Sequence, residues 1–348
     1  MTRGAAIVAQ LRKPLARVLR AGHPWVFRDA LQPFRAAAGD VVTVVDDKRK
    51  FVARGLADDG PIGVRVFTTK DEGVDEALFE RRIALADELR ATVVPPDTNA
   101  YRLLHGEGDR FPGLVCDVYD SWAVIQLDGA ALVSRRQQLL ELLRPRLAAR
   151  GIVRTLVRYG RRTDRTIEGR PPSEPLIVRE HGMMLVADLA HGQKTGLFLD
   201  HRESRRRIRA LAHDRRVLDL YAYVGGFSAA AGLGGARSVD TVDVAAPAIE
   251  ASHRTWLANG LHDARRTGHA SDVPAFLERA VADARRWDLV IADPPSFAPS
   301  EGLVDKALAS YVQLHAAALR VLAPGGLLLA ASCSSHIDAP SFAAALVE

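Results

Sequence analysis

The chain has 348 residues, which is enough for two or three domains that each bury a core. Its apolar runs are shorter than the roughly 18 residues of a membrane span, and its N-terminus lacks a secretory signal, so we expect a cytoplasmic protein with no membrane partner. The net charge of +5 slightly favours polyanionic partners, although codon bias in a GC-rich genome explains much of the arginine excess.

The first segment, residues 5–70, has the pattern of a small β-rich module. β-Branched and apolar runs predict strands at 41–45, 51–56 and 63–67. A helical pattern then runs from about residue 75 to 91 and ends before Pro95-Pro96.

The second segment, residues 97–185, is predicted to mix strands and helices. Strands 114–119 and 122–127 form a hairpin about Asp120-Ser121, and a helix at 132–149 and a strand at 152–158 follow. The charged, proline-rich stretch 160–175 is predicted to be a loop.

From about residue 186, predicted strands alternate with helices, which is typical of a parallel α/β sheet covered on both faces. The strands are 217–220, 238–243, 288–292 and 326–332, and the helices are 227–233, 246–259, 273–284 and 304–322. The predicted domains are therefore 1–74, 75–185 and 186–348. Because the chain ends soon after the last strand, we expect a truncated sequence.

Acidic residues follow successive strands of this predicted sheet. Asp219, Asp243 and Asp272 each stand where a strand passes into a helix, at the edge where parallel sheets bind ligands. The glycines at 225 and 226 do not form a dinucleotide fingerprint. Acids without a phosphate-binding lysine suit a ligand with a ribose and a cation, such as S-adenosylmethionine (SAM). The alternative is that these acids cap helices or stabilise turns.

The sequence Asp293-Pro294-Pro295-Ser296-Phe297 follows an apolar strand and is the strongest signal in the chain. Two prolines fix a rigid turn, which can present the Asp293 carboxylate and nearby carbonyls to the amino edge of a nucleobase. Phe297 can stack on such a base. The alternative is an ordinary exit from a strand into a loop.

The chain has two cysteines, which excludes a disulfide framework and a cysteine-based zinc site. Cys116 lies in an apolar run and is predicted to be buried. Cys333 follows the last strand, beside Asp293 if the two strands are neighbours. There a thiolate can attack C6 of a pyrimidine and activate C5 for methylation. The alternative is a small residue at a strand end.

Two groups of arginines indicate RNA contacts, with a solvated helix face as the alternative. Arg202, Arg206 and Arg209 share one helix face by their spacing. The first group is Arg202, Arg205, Arg206, Arg207 and Arg209, with Arg215 and Arg216 further on; the second is Arg158, Arg161, Arg162 and Arg165.

These motifs occur together in one order, and in this the chain resembles the bacterial large-subunit ribosomal RNA methyltransferases that have a PUA domain and make 5-methylcytosine. The similarity runs from about residue 8 to the end. The matching segments are 23–27 (HPWVF), 192–202 (GQKTGLFLDHR), 223–227 (YVGGF), 293–297 (DPPSF) and 332–334 (SCS).

The resemblance implies a PUA-like RNA-binding domain, a central α+β domain and a Rossmann-like SAM methyltransferase domain. It implies 23S rRNA, free or in a large-subunit precursor, as the partner, and a homodimer as one assembly to test. It implies Cys333 as the nucleophile and Asp293 as a catalytic residue, with the segment 194–202 closing over the cofactor. The implied cofactor residues are Asp219, Tyr221, Gly225, Asp243, Asp272, Asp293, Pro294, Phe198 and Arg202; the implied RNA contacts are Phe297, Lys194, Arg206 and Arg209.

Three positions depart from the family's usual residues. His201 stands where the family usually has Gln, Val224 where it has Thr, and Ser296 where it often has Lys. Two alternatives therefore stay open beside cytosine C5 methylation. One is methylation of a base nitrogen, such as guanine N7 or an exocyclic amine, on the same fold. The other is a non-catalytic RNA-binding assembly factor.

Overall fold

The computed structural model describes residues 6–160, 166–298 and 300–347. Its contacts divide the chain into two compact units. The first takes in the chain up to Glu174 together with Asp188–Leu199, and the second takes in Pro175–Ala187 together with the chain from Asp200 onwards. Within the described residues, no helix combines the length and the apolar character that a membrane span requires.

The first unit opens with a five-stranded sheet of order β1-β3-β4-β5-β2. Its inner face consists of β-branched side chains that are almost fully buried, including Val26, Val42, Val44 and Val64, as the alternation of a half-buried strand requires. The elements are β1 (Ile7–Gln10), α1 (Ala16–Arg20), β2 (Trp25–Phe27), β3 (Val41–Val45), β4 (Phe51–Ala57) and β5 (Ile62–Thr68). The three predicted strands are confirmed.

A second five-stranded sheet, of order β10-β9-β8-β7-β6, completes the first unit. The predicted hairpin is confirmed, and Asp120 takes the left-handed conformation at its turn (φ +56°). The elements are α2 (Glu76–Val93), β6 (Ala100–His105), β7 (Leu114–Tyr119), β8 (Trp122–Leu127), α3 (Ala130–Ser134), α4 (Arg136–Ala149), β9 (Arg154–Tyr159) and β10 (Thr166–Glu168). The predicted loop at 160–175 thus contains a short strand, and residues 161–165 lie outside the described residues.

The second unit begins with the antiparallel hairpin β11 (Leu176–Glu180) and β12 (Met183–Ala187), and continues with a parallel sheet of order β15-β14-β13-β16-β17. Apolar residues such as Leu218, Val242 and Val290 fill the core beneath this sheet. The strands are β13 (Arg216–Leu220), β14 (Ser238–Asp243), β15 (Arg266–Ala270), β16 (Trp287–Ala292) and β17 (Leu322–Ala330). The predicted parallel α/β sheet is confirmed.

Four helices connect the parallel strands: α6 (Gly226–Leu233), α7 (Ala246–Ala258), α8 (Val273–Ala282) and α9 (Val304–Arg320). A further helix, α5 (Arg202–Leu211), precedes β13, and α10 (Ala339–Ala344) follows β17. The chain runs outwards from β13 through β14 to β15, and then returns to place β16 on the other side of β13. The strand order therefore reverses between β13 and β16, and ligands of open α/β sheets bind at such a point.

Candidate active site

Asp219 lies where β13 reaches the switch point, and its side chain is almost fully buried (1% exposed). Its Oδ2 accepts hydrogen bonds from the Ser228 backbone N–H (2.9 Å) and from the Ser228 hydroxyl (2.6 Å). Its Oδ1 has no hydrogen-bond partner among the described residues. Burial raises the pKa of Asp219 to about 7, because a low-dielectric surrounding disfavours the charged form.

The turn between β13 and α6 has an unusual backbone. Tyr221, Tyr223 and Gly225 all have positive φ angles, of +60°, +48° and +72°. Asp243, at the end of β14, stabilises this turn, since its Oδ2 accepts from the Tyr223 N–H (2.9 Å). Its Oδ1 accepts from the Ala245 N–H (2.9 Å), directly before α7. A turn with this much positive φ is held in place by its surroundings, as is usual at functional sites.

Gly225 is needed for packing as well as for its conformation. A Cβ atom at this position would come within 2.6 Å of the Ser252 Cβ on α7. The sequence predicts that the glycine lets the backbone approach a ligand. The structure adds a second reason, which is the close approach of α6 and α7. The predicted contact of Gly225 with a cofactor stays a prediction.

Asp272 and Tyr221 lie further along the same edge. Asp272 is exposed and caps α8, where its Oδ2 accepts from the Ala275 N–H (3.3 Å). The alternative prediction, that this acid caps a helix, is therefore confirmed. Burial raises the pKa of Tyr221 to about 12, with a smaller contribution from the charge of Asp272. Roles for both residues in holding a cofactor stay predictions.

Asp293 follows β16, and its Oδ2 lies 3.5 Å from Nε2 of His201. About a quarter of each side chain is exposed. His201 stands directly before α5, and its ring lies 5.5 Å from the Phe227 ring on α6. The hydrogen bond to Asp293 raises the pKa of His201 above its usual value. In the sequence, His201 is marked only as a departure from the family that the chain resembles, and no local pattern signals its pairing with Asp293.

Cys333 stands beside the Asp293 turn, as the sequence predicts for neighbouring strands. β16 and β17 pair in parallel with Ala292 opposite Ala330. The Cys333 side chain is exposed, and its Sγ lies 3.9 Å from the carbonyl oxygen of Pro294. Cys116 is fully buried as predicted, and burial raises the pKa of its thiol.

Phe297 is half-buried and packs against α9. Its ring lies 4.8 Å from the ring of Tyr311, and the two planes are tilted by 51°. Tyr311 is fully buried and is a residue that sequence analysis missed. The predicted stacking of Phe297 on a target base stays a prediction.

The segment 194–202, which the resemblance places over the cofactor, belongs to the first unit up to Leu199 and to the second unit from Asp200. In the first unit, Lys194 lies with its Nζ 5.7 Å from the Phe198 ring, and Arg158 donates to the Lys194 carbonyl (2.9 Å). In the second unit, Arg202 forms an ion pair with Glu203 (3.2 Å). Contacts of Lys194, Phe198 and Arg202 with cofactor or RNA stay predictions.

The structure corrects the two arginine groups. Arg205 is buried and donates twice to the Glu180 carboxylate (2.7 Å each), and Arg158 is 1% exposed. The prediction that these two arginines contact phosphates from the surface is therefore wrong. Arg206 and Arg209 are exposed on α5, and Arg206 pairs with Glu203 (3.0 Å). The remaining members of the second group, Arg161, Arg162 and Arg165, lie outside the described residues.

These residues fit a ligand that carries positive charge. Three carboxylates, those of Asp219, Asp243 and Asp293, lie near one another. The negative charges of Asp293 and Asp243 add to the effect of burial in raising the pKa of Asp219. A buried carboxylate oxygen without a partner is costly unless a ligand satisfies it. The ammonium group of SAM is a hydrogen-bond donor of the required kind, and its sulfonium group adds a second positive charge.

Comparison with known proteins agrees with this geometry. A family model described as an S-adenosylmethionine-dependent methyltransferase matches residues 102–345, and a model of a PUA-like domain matches residues 9–69. A ribosomal RNA large subunit methyltransferase of Deinococcus radiodurans is 36% identical and covers 94% of this chain and 85% of the relative. Ribosomal RNA large subunit methyltransferase I of Alteromonas mediterranea is 35% identical, with 93% of this chain and 84% of the relative covered.

Solved structures show the same fold. A protein from Streptococcus mutans that is assigned to the SAM-dependent methyltransferases aligns with a TM-score of 0.85 at 23% identity, over 98% of this chain and 89% of that one. A methyltransferase structure complexed with S-adenosylhomocysteine aligns with the same scores. Since the first family model spans well over half of the residues and the relatives match nearly all of them, this chain belongs to the SAM-dependent methyltransferases with an N-terminal PUA-like domain.

Proposed function

We propose that this SAM-dependent methyltransferase makes 5-methylcytosine in 23S rRNA, with Cys333 as the nucleophile. The observation that carries the proposal is the position of the Cys333 thiol. It is exposed at the carboxyl edge of the sheet, 3.9 Å from the Pro294 carbonyl and on the strand next to Asp293. Carbon methylation requires a nucleophile at this place, whereas nitrogen methylation does not.

The chemistry follows from the weakness of cytosine C5 as a nucleophile. The Cys333 thiolate adds to C6, and the electrons of the C5=C6 bond become available at C5. The bond from C5 to the methyl group would form as the bond from that methyl group to the SAM sulfur breaks, which leaves the electron pair on sulfur. A base or water then takes the C5 proton, and departure of the Cys333 thiolate restores the C5=C6 double bond. In this scheme Asp293 holds the amino edge of the base, and the turn at Pro294-Pro295 fixes its carboxylate relative to the thiol.

The cofactor supplies an electrophilic methyl group when it is bound. Asp219, with its unpartnered oxygen, is the residue best suited to a cationic group. The residues proposed to hold SAM are Asp219, Tyr221, Gly225, Asp243, Asp272, Asp293, Pro294, Phe198 and Arg202. Their assignment rests on the family resemblance together with the clustering of the acids at the carboxyl edge of the sheet.

The proposed substrate rests on the relatives, which are named as large-subunit ribosomal RNA methyltransferases. In the proposed division, residues 1–74 form an RNA-binding module, 75–185 a central domain and 186–348 the catalytic domain. We propose Phe297, Lys194, Arg206 and Arg209 as RNA contacts, and a target base that is unpaired or flipped out of its helix. Such a protein would work in the cytoplasm on free 23S rRNA or on a precursor of the large subunit.

A second function is methylation of a base nitrogen on the same fold. The Asp-Pro-Pro turn favours it, because such a turn followed by an aromatic residue suits an exocyclic amine; in this chain Ser296 stands between the turn and Phe297. In that case Cys333 would be dispensable. The two functions therefore make opposite predictions for one substitution.

The test is Cys333→Ala, with Ser335→Ala as a matched control in the same exposed loop. We expect Cys333→Ala to abolish methyl transfer to 23S rRNA while SAM affinity, measured by calorimetry, stays the same. Ser335→Ala should retain both. Full activity in Cys333→Ala would rule out the covalent mechanism, and a wild-type protein that binds no SAM would favour the non-catalytic assembly factor.

A further inference from the structure

The loop after β17 is held on both sides of Cys333 by one buried side chain. The hydroxyl of Tyr311, on α9, lies 2.9 Å from the Ser332 hydroxyl and 3.1 Å from the Ser334 hydroxyl. Tyr311 is 0% exposed and Ser334 is 5% exposed. The residues that precede and follow Cys333 are thus fixed to the same atom, while Cys333 itself faces outwards.

Ser334 extends this contact to the loop that carries the Asp-Pro-Pro turn. Its hydroxyl lies 3.2 Å from the Ser296 hydroxyl and accepts from the Ala298 backbone N–H (3.3 Å). The Ser334 backbone N–H in turn donates to the Ser332 hydroxyl (3.2 Å). We call these four hydroxyls, of Tyr311, Ser332, Ser334 and Ser296, the hydroxyl clamp.

The protons of the clamp can be arranged in one consistent direction. Each hydroxyl has one proton to donate and can accept twice. Ser296 can donate to Ser334, Ser334 to Tyr311, and Tyr311 to Ser332, which leaves the two backbone N–H groups to donate to Ser334 and Ser332. Tyr311 and Ser334, the two buried members, each donate and accept in this arrangement, and buried hydrogen-bond networks with satisfied members are rigid. The clamp therefore fixes the loop of Cys333 relative to the loop of residues 293–298.

We propose that Tyr311 is a positioning residue for the nucleophile, which it holds against the Asp293-Pro294-Pro295 turn. The inference rests on the proposed function, since it requires Cys333 to be the nucleophile. The thiol must approach C6 while the Asp293 carboxylate holds the other edge of the same base. Misplacement by about 1 Å can cost roughly 100-fold in rate, so a device that fixes the two loops together has a direct catalytic effect.

The test is Tyr311→Phe, which removes only the hydroxyl. The ring contacts with Phe297 (4.8 Å) and Phe342 (5.1 Å) can remain, so the fold should be kept. We expect kcat for methyl transfer to fall about 10- to 100-fold, from the loss of the Tyr311 hydrogen bonds to Ser332 and Ser334 and the resulting misplacement. The Kd for SAM should change less than about twofold, an amount worth well under 1 kcal/mol. Ser310→Ala is the matched control, since it removes a hydroxyl of the same helix that donates to the Lys306 carbonyl (3.0 Å), and it should leave both values unchanged.

Amide hydrogen exchange of the ligand-free protein gives a measurement that does not depend on turnover. In Tyr311→Phe we expect faster exchange in residues 296–298 and 332–335, and unchanged exchange elsewhere in α9 and β16. An unchanged kcat, or faster exchange spread across the whole second unit, would overturn the proposal. If Cys333→Ala stays fully active, the proposed function fails first, and Tyr311 is then a structural residue whatever its exchange data show.

Discussion

Asp219 differs from the other acids of the site in having one carboxylate oxygen bonded twice and the other without a partner among the described residues. If the cationic cofactor satisfies that oxygen, Asp219→Asn should weaken SAM binding about 10- to 100-fold, the value of one hydrogen bond to a charged group. Calorimetry measures this directly. Asp214→Asn, an exposed acid ahead of β13, is the control.

The same residue predicts a pH dependence. Burial raises the pKa of Asp219 to about 7, so the carboxylate that favours a cation forms as the pH rises through 7. SAM affinity of the wild-type protein should therefore increase between pH 6 and pH 8 and then level off. Asp219→Asn should lose this rise, and a wild-type profile without a rise over this range would contradict the assignment.

His201 provides a second titration, which can be followed in the ligand-free protein. Its contact with Asp293 raises its pKa above the ordinary value of 6.5. The stability that this pair contributes is complete below pH 6.5 and is lost as the pH rises through the raised pKa. In an NMR titration, Asp293→Asn should lower the pKa of His201. The pKa of His315, towards the C-terminal end of α9, should not change. An identical pKa for His201 in both proteins would show that the contact does not form.

At the level of single residues, the sequence predicts those roles that follow from a position at a strand end. Asp219, Asp243 and Asp293 are of this kind, because a parallel sheet brings all its carboxyl ends to one edge. The contact between His201 and Asp293 joins residues far apart in the chain, and no local pattern signals it. The same is true of Tyr311, whose spacing on α9 indicates only a core position.

At the level of elements, the turn from β13 to α6 requires a glycine at position 225 both for its backbone conformation and for its packing. Gly225 has φ +72° and would bring a Cβ within 2.6 Å of Ser252, whereas Gly260 has φ +65° with open space around it. Gly260→Ala should cost only the left-handed strain, about 1 to 2 kcal/mol. Gly225→Ala should cost a further 1 to 3 kcal/mol, roughly, from overpacking. Urea unfolding at 25 °C compares the two, and equal losses would show that the close approach of α6 and α7 is not real.

The elements that the sequence predicts are those with a strong apolar pattern, such as β3, β7, β13 and β16. The strands it misses are short or lie at edges. β15 has the sequence Arg-Thr-Gly-His-Ala, whose side chains are all at least partly exposed. Such a strand is defined by backbone pairing with β14 rather than by its side chains, and propensity alone cannot reveal it.

For the whole molecule, alternating strands and helices were sufficient to predict the parallel α/β sheet. The strand order reverses between β13 and β16, and open α/β sheets generally bind their ligands beside such a reversal, at the carboxyl ends of the strands. The grouping of the hairpin 176–187 with the second unit was not predicted, since it depends on contacts such as that of the Met184 N–H with Asn259 (2.8 Å). These contacts join residues that no periodic pattern relates.

In the proposed function, the Cys333 thiol makes this SAM-dependent methyltransferase a cytosine C5 enzyme. The most direct measurement is methyl transfer from labelled SAM to 23S rRNA, followed by digestion and mass spectrometry of the labelled nucleoside. We expect 5-methylcytidine from the wild-type protein and no labelled nucleoside from Cys333→Ala. A label on a base nitrogen, such as N7 of guanosine, or undiminished 5-methylcytidine from Cys333→Ala, would contradict it.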